Sequence, residues 1–130
     1  MTNKFFLLFT ITVLFIYSCA SQVPPSGGPL DKTPPTIIKV IPENKSTLVP
    51  LHQRIEFEFS EGMTRKGSER AVFISPDPGD RVKLKWKGRR LRIEFSDSLK
   101  INRTYVITLG PDLNDAHNNS LTVSQTLAFY

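Results

Sequence analysis

An all-β sandwich of about seven short strands is the expected architecture of this chain. Apolar residues from about Asp31 to Tyr130 recur with period two, and no segment carries a sustained 3.6-residue stripe. Clusters of Gly, Pro, Asn and Asp punctuate the apolar runs at intervals of roughly 8 to 15 residues. The chain has 130 residues, room for one domain.

Before that pattern begins, residues 5–17 (FFLLFTITVLFIY) contain no charge and follow Lys4. A short basic start, an apolar run of about a dozen residues and then small residues form the pattern of a secretory signal. The run is short for a bilayer span, which takes about 20 residues. An uncut membrane anchor is the alternative, and the cleavage-like site directly after the run argues against it. That site is "IYSC", residues 16–19, which resembles a bacterial lipobox. The resemblance implies that residues 1–18 are a signal peptide, that the Cys19 thiol receives diacylglycerol, and that the new amino group is acylated. Cys19 is the only cysteine, so an intrachain disulfide is excluded. Each buried methylene contributes about 0.8 kcal/mol, so two or three acyl chains make release negligible.

Residues 20–36, "ASQVPPSGGPLDKTPPT", hold five prolines (Pro24, Pro25, Pro29, Pro34, Pro35) and the pair Gly27–Gly28. Proline fixes φ and lacks a donor, so neither a helix nor a central strand runs through here. The whole stretch 20–36 reaches at most roughly 50 Å in polyproline form; residues 19–30 are therefore expected to be a lipidated N-terminus and linker, and residues 31–130 the domain.

Within the domain, "TIIKVI", "RIEFEFS", "TYVITL" and the terminal "TLAFY" are β-rich. "RIEFEFS" puts Ile55, Phe57 and Phe59 on one face and Glu56 and Glu58 on the other. Only "SEGMTRKGSERAVF" has room for a helical turn, kept short by Gly62 and Gly67. The sharpest unit is "RVKLKWKGRRLRIEF", residues 81–95. A two-residue turn at Gly88–Arg89 sets Trp86 against Leu91, Leu84 against Ile93 and Val82 against Phe95. A slip of one residue would bury lysines and arginines instead, and glycine first in the loop suits a type II′ turn. The expected core is Ile38, Val40, Ile55, Phe57, Phe59, Val72, Ile74, Leu84, Trp86, Ile93, Phe95, Tyr105, Ile107, Leu109 and Leu127.

The order of motifs resembles a bacterial Ig-like domain of the SbsA type. The matching positions are Asp31, Thr33, Pro34 and Pro35; Pro42, Val49 and Pro50; Phe59, Ser60, Glu61 and Met63; Leu99 and Tyr105; Asp115 and Asn118. They span about residues 31–130, and with the lipobox and tether in front they resemble Gram-negative envelope lipoproteins. The resemblance implies an immunoglobulin-like sandwich with a non-catalytic role, a spacer or adhesion module. Fold alone does not give function; function rests on the chemistry of the candidate sites.

The first candidate is a basic face. On the hairpin, Lys83, Lys85, Lys87, Arg90 and Arg92 point away from the core together with Glu94, and Arg81 and Arg89 sit at its ends. Of 17 Lys and Arg, Lys4 lies in the leader, leaving 16 against 12 acids, a net of +4. Without the seven basic residues of 81–92 the balance is 9 against 12, so the surplus resides on one hairpin. The register opposes Lys87 to Arg90 and Lys85 to Arg92, and like charges directly opposite are destabilising. That points to an anionic partner: lipid headgroups, lipopolysaccharide phosphates, an acidic glycan or an acidic envelope protein. Against it stands a plain solvated face whose lysines prevent aggregation.

The second candidate is "DLNDAHNNS", residues 112–120. Asp112, Asn114, Asp115 and Asn118 are hard oxygen ligands of the kind Ca²⁺ takes, with Glu61 an extra ligand if the loops meet. Asn and Asp also favour turns for their own sake. "DSL", residues 97–99, resembles a short bacterial O-glycosylation signal. His52 and His117 are the only histidines, and neither stands in a nucleophile or metal spacing. No catalytic residue, enzyme activity or cofactor is therefore expected, and nucleic acid is an improbable partner for an exported chain.

The expectation is an outer-membrane lipoprotein presenting an Ig-like binding or spacer module, periplasm-facing by default, with the cell surface as the other facing. The alternative is the N-terminal accessory domain of a longer envelope substrate-binding protein or enzyme.

Overall fold

The structure is a computed structural model, and it describes residues 27–130. Cys19, the residues 1–18 expected to be a signal peptide and the expected linker up to residue 26 lie outside the described residues. Asp31–Tyr130 form one compact unit.

Among the described residues seven strands appear, all antiparallel to their neighbours: β1 (Ile37–Ile41), β2 (Ile55–Phe59), β3 (Val72–Ser75), β4 (Val82–Lys87), β5 (Arg90–Phe95), β6 (Tyr105–Leu109) and β7 (Gln125–Phe129). They build two sheets, ordered β1-β2-β5-β4 and β3-β6-β7. In chain order this is the ABED and CFG arrangement of a constant-type immunoglobulin sandwich. The helical turn allowed for the glycine-flanked segment is a 3₁₀ turn at Ser68–Ala71, entered through Gly67 at φ +79°. A second 3₁₀ turn, Gly79–Arg81, leads into β4.

The hairpin has the expected register. Trp86 pairs with Leu91, Leu84 with Ile93 and Val82 with Phe95. Of the two loop residues only Gly88 has positive φ, +57°, the requirement of a type II′ turn. β4 is an edge strand, so Trp86 is half-buried. Its ring stacks on Phe59 at 5.8 Å, and its Nε1–H donates to Ser68 Oγ at 3.2 Å.

The core centres on Ile55, Phe57, Phe59, Leu91, Ile93, Ile107, Leu109, Leu127 and Phe129. Ile38 is a correction: it is 55% exposed. The β1–β2 pairing shifts between Ile37 and Lys39, so Ile37 opposes Phe59 while Val40 opposes Phe57. That bulge inserts one residue and reverses the side-chain phase, turning Ile37 inward and Ile38 out. Met63, Ala71, Leu99, Leu113 and Leu121 are buried as well. They sit in turns and loops, where period-two counting has no purchase.

Tyr105 locks the β5–β6 corner at the start of β6. Lys100 N–H donates to its hydroxyl at 2.9 Å, the tyrosine-corner contact of this fold. Its ring packs on Phe95 and Phe129 with centroids 5.7 and 5.6 Å away. Residues 44–49 seal the open edge of β7: Lys45 N–H reaches Ala128 O, Tyr130 N–H reaches Ser46 O and Val49 N–H reaches Tyr130 O. Unpaired strand edges invite aggregation, and this contact removes one.

Candidate functional site

Two places bear on function, the outer face of the four-stranded sheet and the polar loops at the end where the tether joins.

On the sheet face, Lys83, Lys85, Lys87, Arg90 and Arg92 all point outward, because alternation places every second residue of β4 and β5 opposite the core. The opposition of Lys85 to Arg92 and of Lys87 to Arg90 is present in the register. The hairpin is not alone, however. β2 lies beside β5 with Glu56 opposite Arg92 and Glu58 opposite Arg90. Arg92 Nη2 stands 3.2 Å from Glu56 Oε2. Arg90 Nη2 stands 3.4 Å from Glu58 Oε1, and Arg89 Nη2 3.8 Å from the same oxygen. Lys85 Nζ turns diagonally to Glu94 at 2.6 Å. The expected repulsion is thus largely relieved: Lys85 and Arg92 split toward acids on opposite sides, and in the other like pair Arg90 turns to Glu58 and away from Lys87. The hairpin's own sequence does not show this, since two of the three compensating glutamates, Glu56 and Glu58, lie more than 30 residues before the arginines they meet.

Five outward cations of the hairpin meet Glu56, Glu58 and Glu94, so a surplus of two charges remains. It falls on Lys83 and Lys87, which have no acid within 4.0 Å among the described residues. Both stand on edge strand β4. Glu56 is 8% exposed, so its pairing with Arg92 is partly shielded from water and salt.

At the other place the loops do meet. Met63 bridges Asp115, Thr64 N–H donates to Asn114 O, and Ala116 N–H donates to Gly62 O. Asp115, 0% exposed, organises the β6–β7 loop. Its Oδ1 accepts from His117 N–H at 2.8 Å and Asn119 N–H at 2.7 Å, and its Oδ2 accepts from Asn119 Nδ2 at 2.9 Å. Those bonds hold its carboxyl below the usual carboxylate range even though burial, the largest influence, pushes it up. Asn114 Nδ2 donates to Asn118 Oδ1, while Asn114 Oδ1 accepts from Ser120 Oγ. Asp112 is exposed. The tetrad Asp112, Asn114, Asp115 and Asn118 therefore spends its oxygens mainly on the loop's own donors. Glu61 stands next to this loop, and burial together with the Asp115 carboxylate raises its pKa.

The same end receives the start of the domain. Asp31 Oδ1 accepts from Thr33 N–H at 2.9 Å, which holds its pKa down. Asn119 Nδ2 donates to Asp31 O, and Pro35 is buried. The ligand atoms of Asp31, Glu61 and His117 lie within 4.8 Å of one another. His52 lies on the β1–β2 loop, at the opposite end of the sandwich from His117. Of the "DSL" residues, Asp97 and Ser98 are exposed and Leu99 is buried.

A family model described as bacterial Ig-like domain matches residues 31–130. Comparison with curated proteins gave no match. Among solved structures, an L,D-transpeptidase from Mycobacterium smegmatis is similar, with a TM-score of 0.55 and 16% identity. The similarity covers 75% of this chain and 39% of that one. At that identity the likeness is one of fold.

Proposed function

This chain belongs to the bacterial Ig-like domain family, and from that premise we propose that it is a lipid-anchored envelope protein presenting a non-catalytic Ig-like binding or spacer module. One observation carries the reading. The matched domain begins at Asp31, twelve positions after Cys19, and the residues between are rich in proline and glycine. The SbsA-like order of motifs and the lipobox support placement at the outer membrane, held by acyl chains.

Metabolic labelling with a palmitate analogue tests it. Label on the wild type, absent from Cys19→Ser, with the wild type in the membrane fraction, supports the anchor. Equal label on both, or a soluble wild type, defeats it. Protease shaving of intact cells then separates periplasmic from surface facing.

A second reading is an accessory domain of a longer envelope enzyme. It is favoured by the share of the transpeptidase that the similarity covers, 39%: there this type of sandwich is one part of a larger chain. An immunoblot of the native host showing a product much larger than 14.7 kDa would support it over the first reading.

A further inference from the structure

We propose that Asp31, Glu61 and His117 form a site for a divalent first-row transition-metal cation, which fastens the start of the domain to its β6–β7 loop. The three residues come from separate segments: the tether junction, the turn after β2 and the β6–β7 loop. One ligand atom of each lies within 4.8 Å of the others. Metal bonds to nitrogen and oxygen of about 2.0–2.2 Å put two donors at most roughly 4.4 Å apart. The 3.7 Å between His117 Nδ1 and Asp31 Oδ2 is inside that limit, and a small side-chain rotation brings in the third donor. At 3.7 Å this contact is too long for a hydrogen bond, so neither atom is committed to the other, and the tautomer protonated at Nε2 presents its Nδ1 lone pair to a ligand.

The charge balance is a separate observation, and it points the same way. On the sheet face each of Glu56, Glu58 and Glu94 meets an arginine or lysine. At this end three carboxylates gather, Asp31, Glu61 and the buried Asp115. Among the described residues no Lys or Arg lies within 4.0 Å of any of them, and His117 is the one basic group. In a chain of net +5, negative charge has been concentrated here without a cation. Carboxylates this close need a proton or a cation between them to be held together.

The donors select the class of ion. Ca²⁺ takes six to eight oxygens, and Asp115 already gives its oxygens to Asn119 and the His117 N–H. One imidazole with two carboxylates suits Zn²⁺ or its neighbours better. Three protein ligands leave further positions to water, in keeping with a His117 side chain 53% exposed.

The test is calorimetry on the tag-free full chain, purified from membranes in detergent and stripped with chelator, titrated with ZnCl₂, MnCl₂, CaCl₂ and MgCl₂ separately. One Zn²⁺ per chain is expected, bound at least tenfold more tightly than Ca²⁺, with a raised melting temperature because the ligand binds the folded state. Asp31→Asn, Glu61→Gln and His117→Ala should each weaken binding at least tenfold while the β-sheet circular dichroism is retained, and Asp112→Asn should leave binding intact. No saturable Zn²⁺ or Mn²⁺ binding, or binding that survives all three substitutions, overturns the site. Tighter binding of Ca²⁺ than of Zn²⁺ overturns the class of ion. Should one variant unfold, the other two still decide.

Discussion

Arg92 on β5 crosses to Glu56 on β2 with two nitrogens directed at one oxygen, Nη2 at 3.2 Å and Nε at 3.4 Å from Oε2. Because Glu56 is 8% exposed, this is the ion pair of the outer face most shielded from solvent. Removing Arg92 takes away the nearest of three guanidinium groups around Glu56 and leaves Arg54 at 3.8 Å and Arg90 at 4.0 Å, so a desolvated carboxylate keeps only its weaker partners, which costs more than losing an exposed pair. Arg92→Gln should therefore destabilise the domain by about 1–2 kcal/mol. Lys85→Gln, which breaks an exposed pair, should change stability by less than about 0.5 kcal/mol. Urea denaturation of both variants decides. Opposed like charges by themselves would make neutralising Lys85, Lys87, Arg90 and Arg92 neutral or stabilising; the neighbouring glutamates reverse the sign.

Binding to an anionic surface should depend on the unpaired lysines first. Lys83→Gln with Lys87→Gln should reduce co-sedimentation with vesicles containing anionic lipid at low salt, and leave urea denaturation unchanged. Wild-type binding should fall steeply as salt rises, since exposed charges are screened beyond about 8 Å at physiological ionic strength. A wild type that binds no anionic vesicle at low salt reduces the face to a solubility and edge-protection device.

Trp86→Ala should cost about 3 kcal/mol, the lower end for a large aromatic, because an edge strand leaves part of the ring in water. It loses the stacking on Phe59 and leaves the Ser68 hydroxyl without its indole donor. A loss below about 1 kcal/mol in chemical denaturation would mean that the ring does not cover the core.

In the presence of chelator, Glu61→Gln should stabilise the domain at neutral pH. Burial and the Asp115 carboxylate raise the Glu61 pKa in the folded state above its ordinary 4.5. For such a group the stability contribution is complete below the unfolded pKa and is lost as pH rises through the folded one. The advantage of the glutamine variant should therefore be present at pH 7 and vanish below about pH 4. Thermal melts across that range test it, and a variant less stable than wild type at pH 7 contradicts it.

The hairpin was legible because its register, turn and alternation are all local: Trp86 to Leu91 is five positions, and one glycine fixes the loop. Ile38 was not, because a bulge is a property of pairing with β2, and "TIIKVI" offers Ile37 and Ile38 equally to the core. The charge lattice escaped for the same reason. Arg90 and Arg92 read as repelling lysines until β2, far away in sequence, supplies Glu56 and Glu58. The meeting of Glu61 with the β6–β7 loop was foreseen as a condition and is realised through Met63 and Asp115. The contribution of Asp31 was not foreseen, since a residue at the tether junction shows no periodicity that ties it to a loop more than 80 positions later.

Thr36 and Ser60 hold the first strand in a double clasp: Thr36 N–H donates to Ser60 Oγ at 3.0 Å, and Ser60 N–H donates to Thr36 O at 2.8 Å. This clasp lies at the end where the chain arrives from its tether, while β7 runs out at the opposite end, beside residues 44–49. A pull between the two termini therefore runs along the strands. β1 cannot peel from β2 one bond at a time; its ladder and the clasp are loaded together, in shear. Within residues 31–130, resistance to a pull between Asp31 and Tyr130 is thus a matter of how the strands are connected, set by topology before any partner is considered.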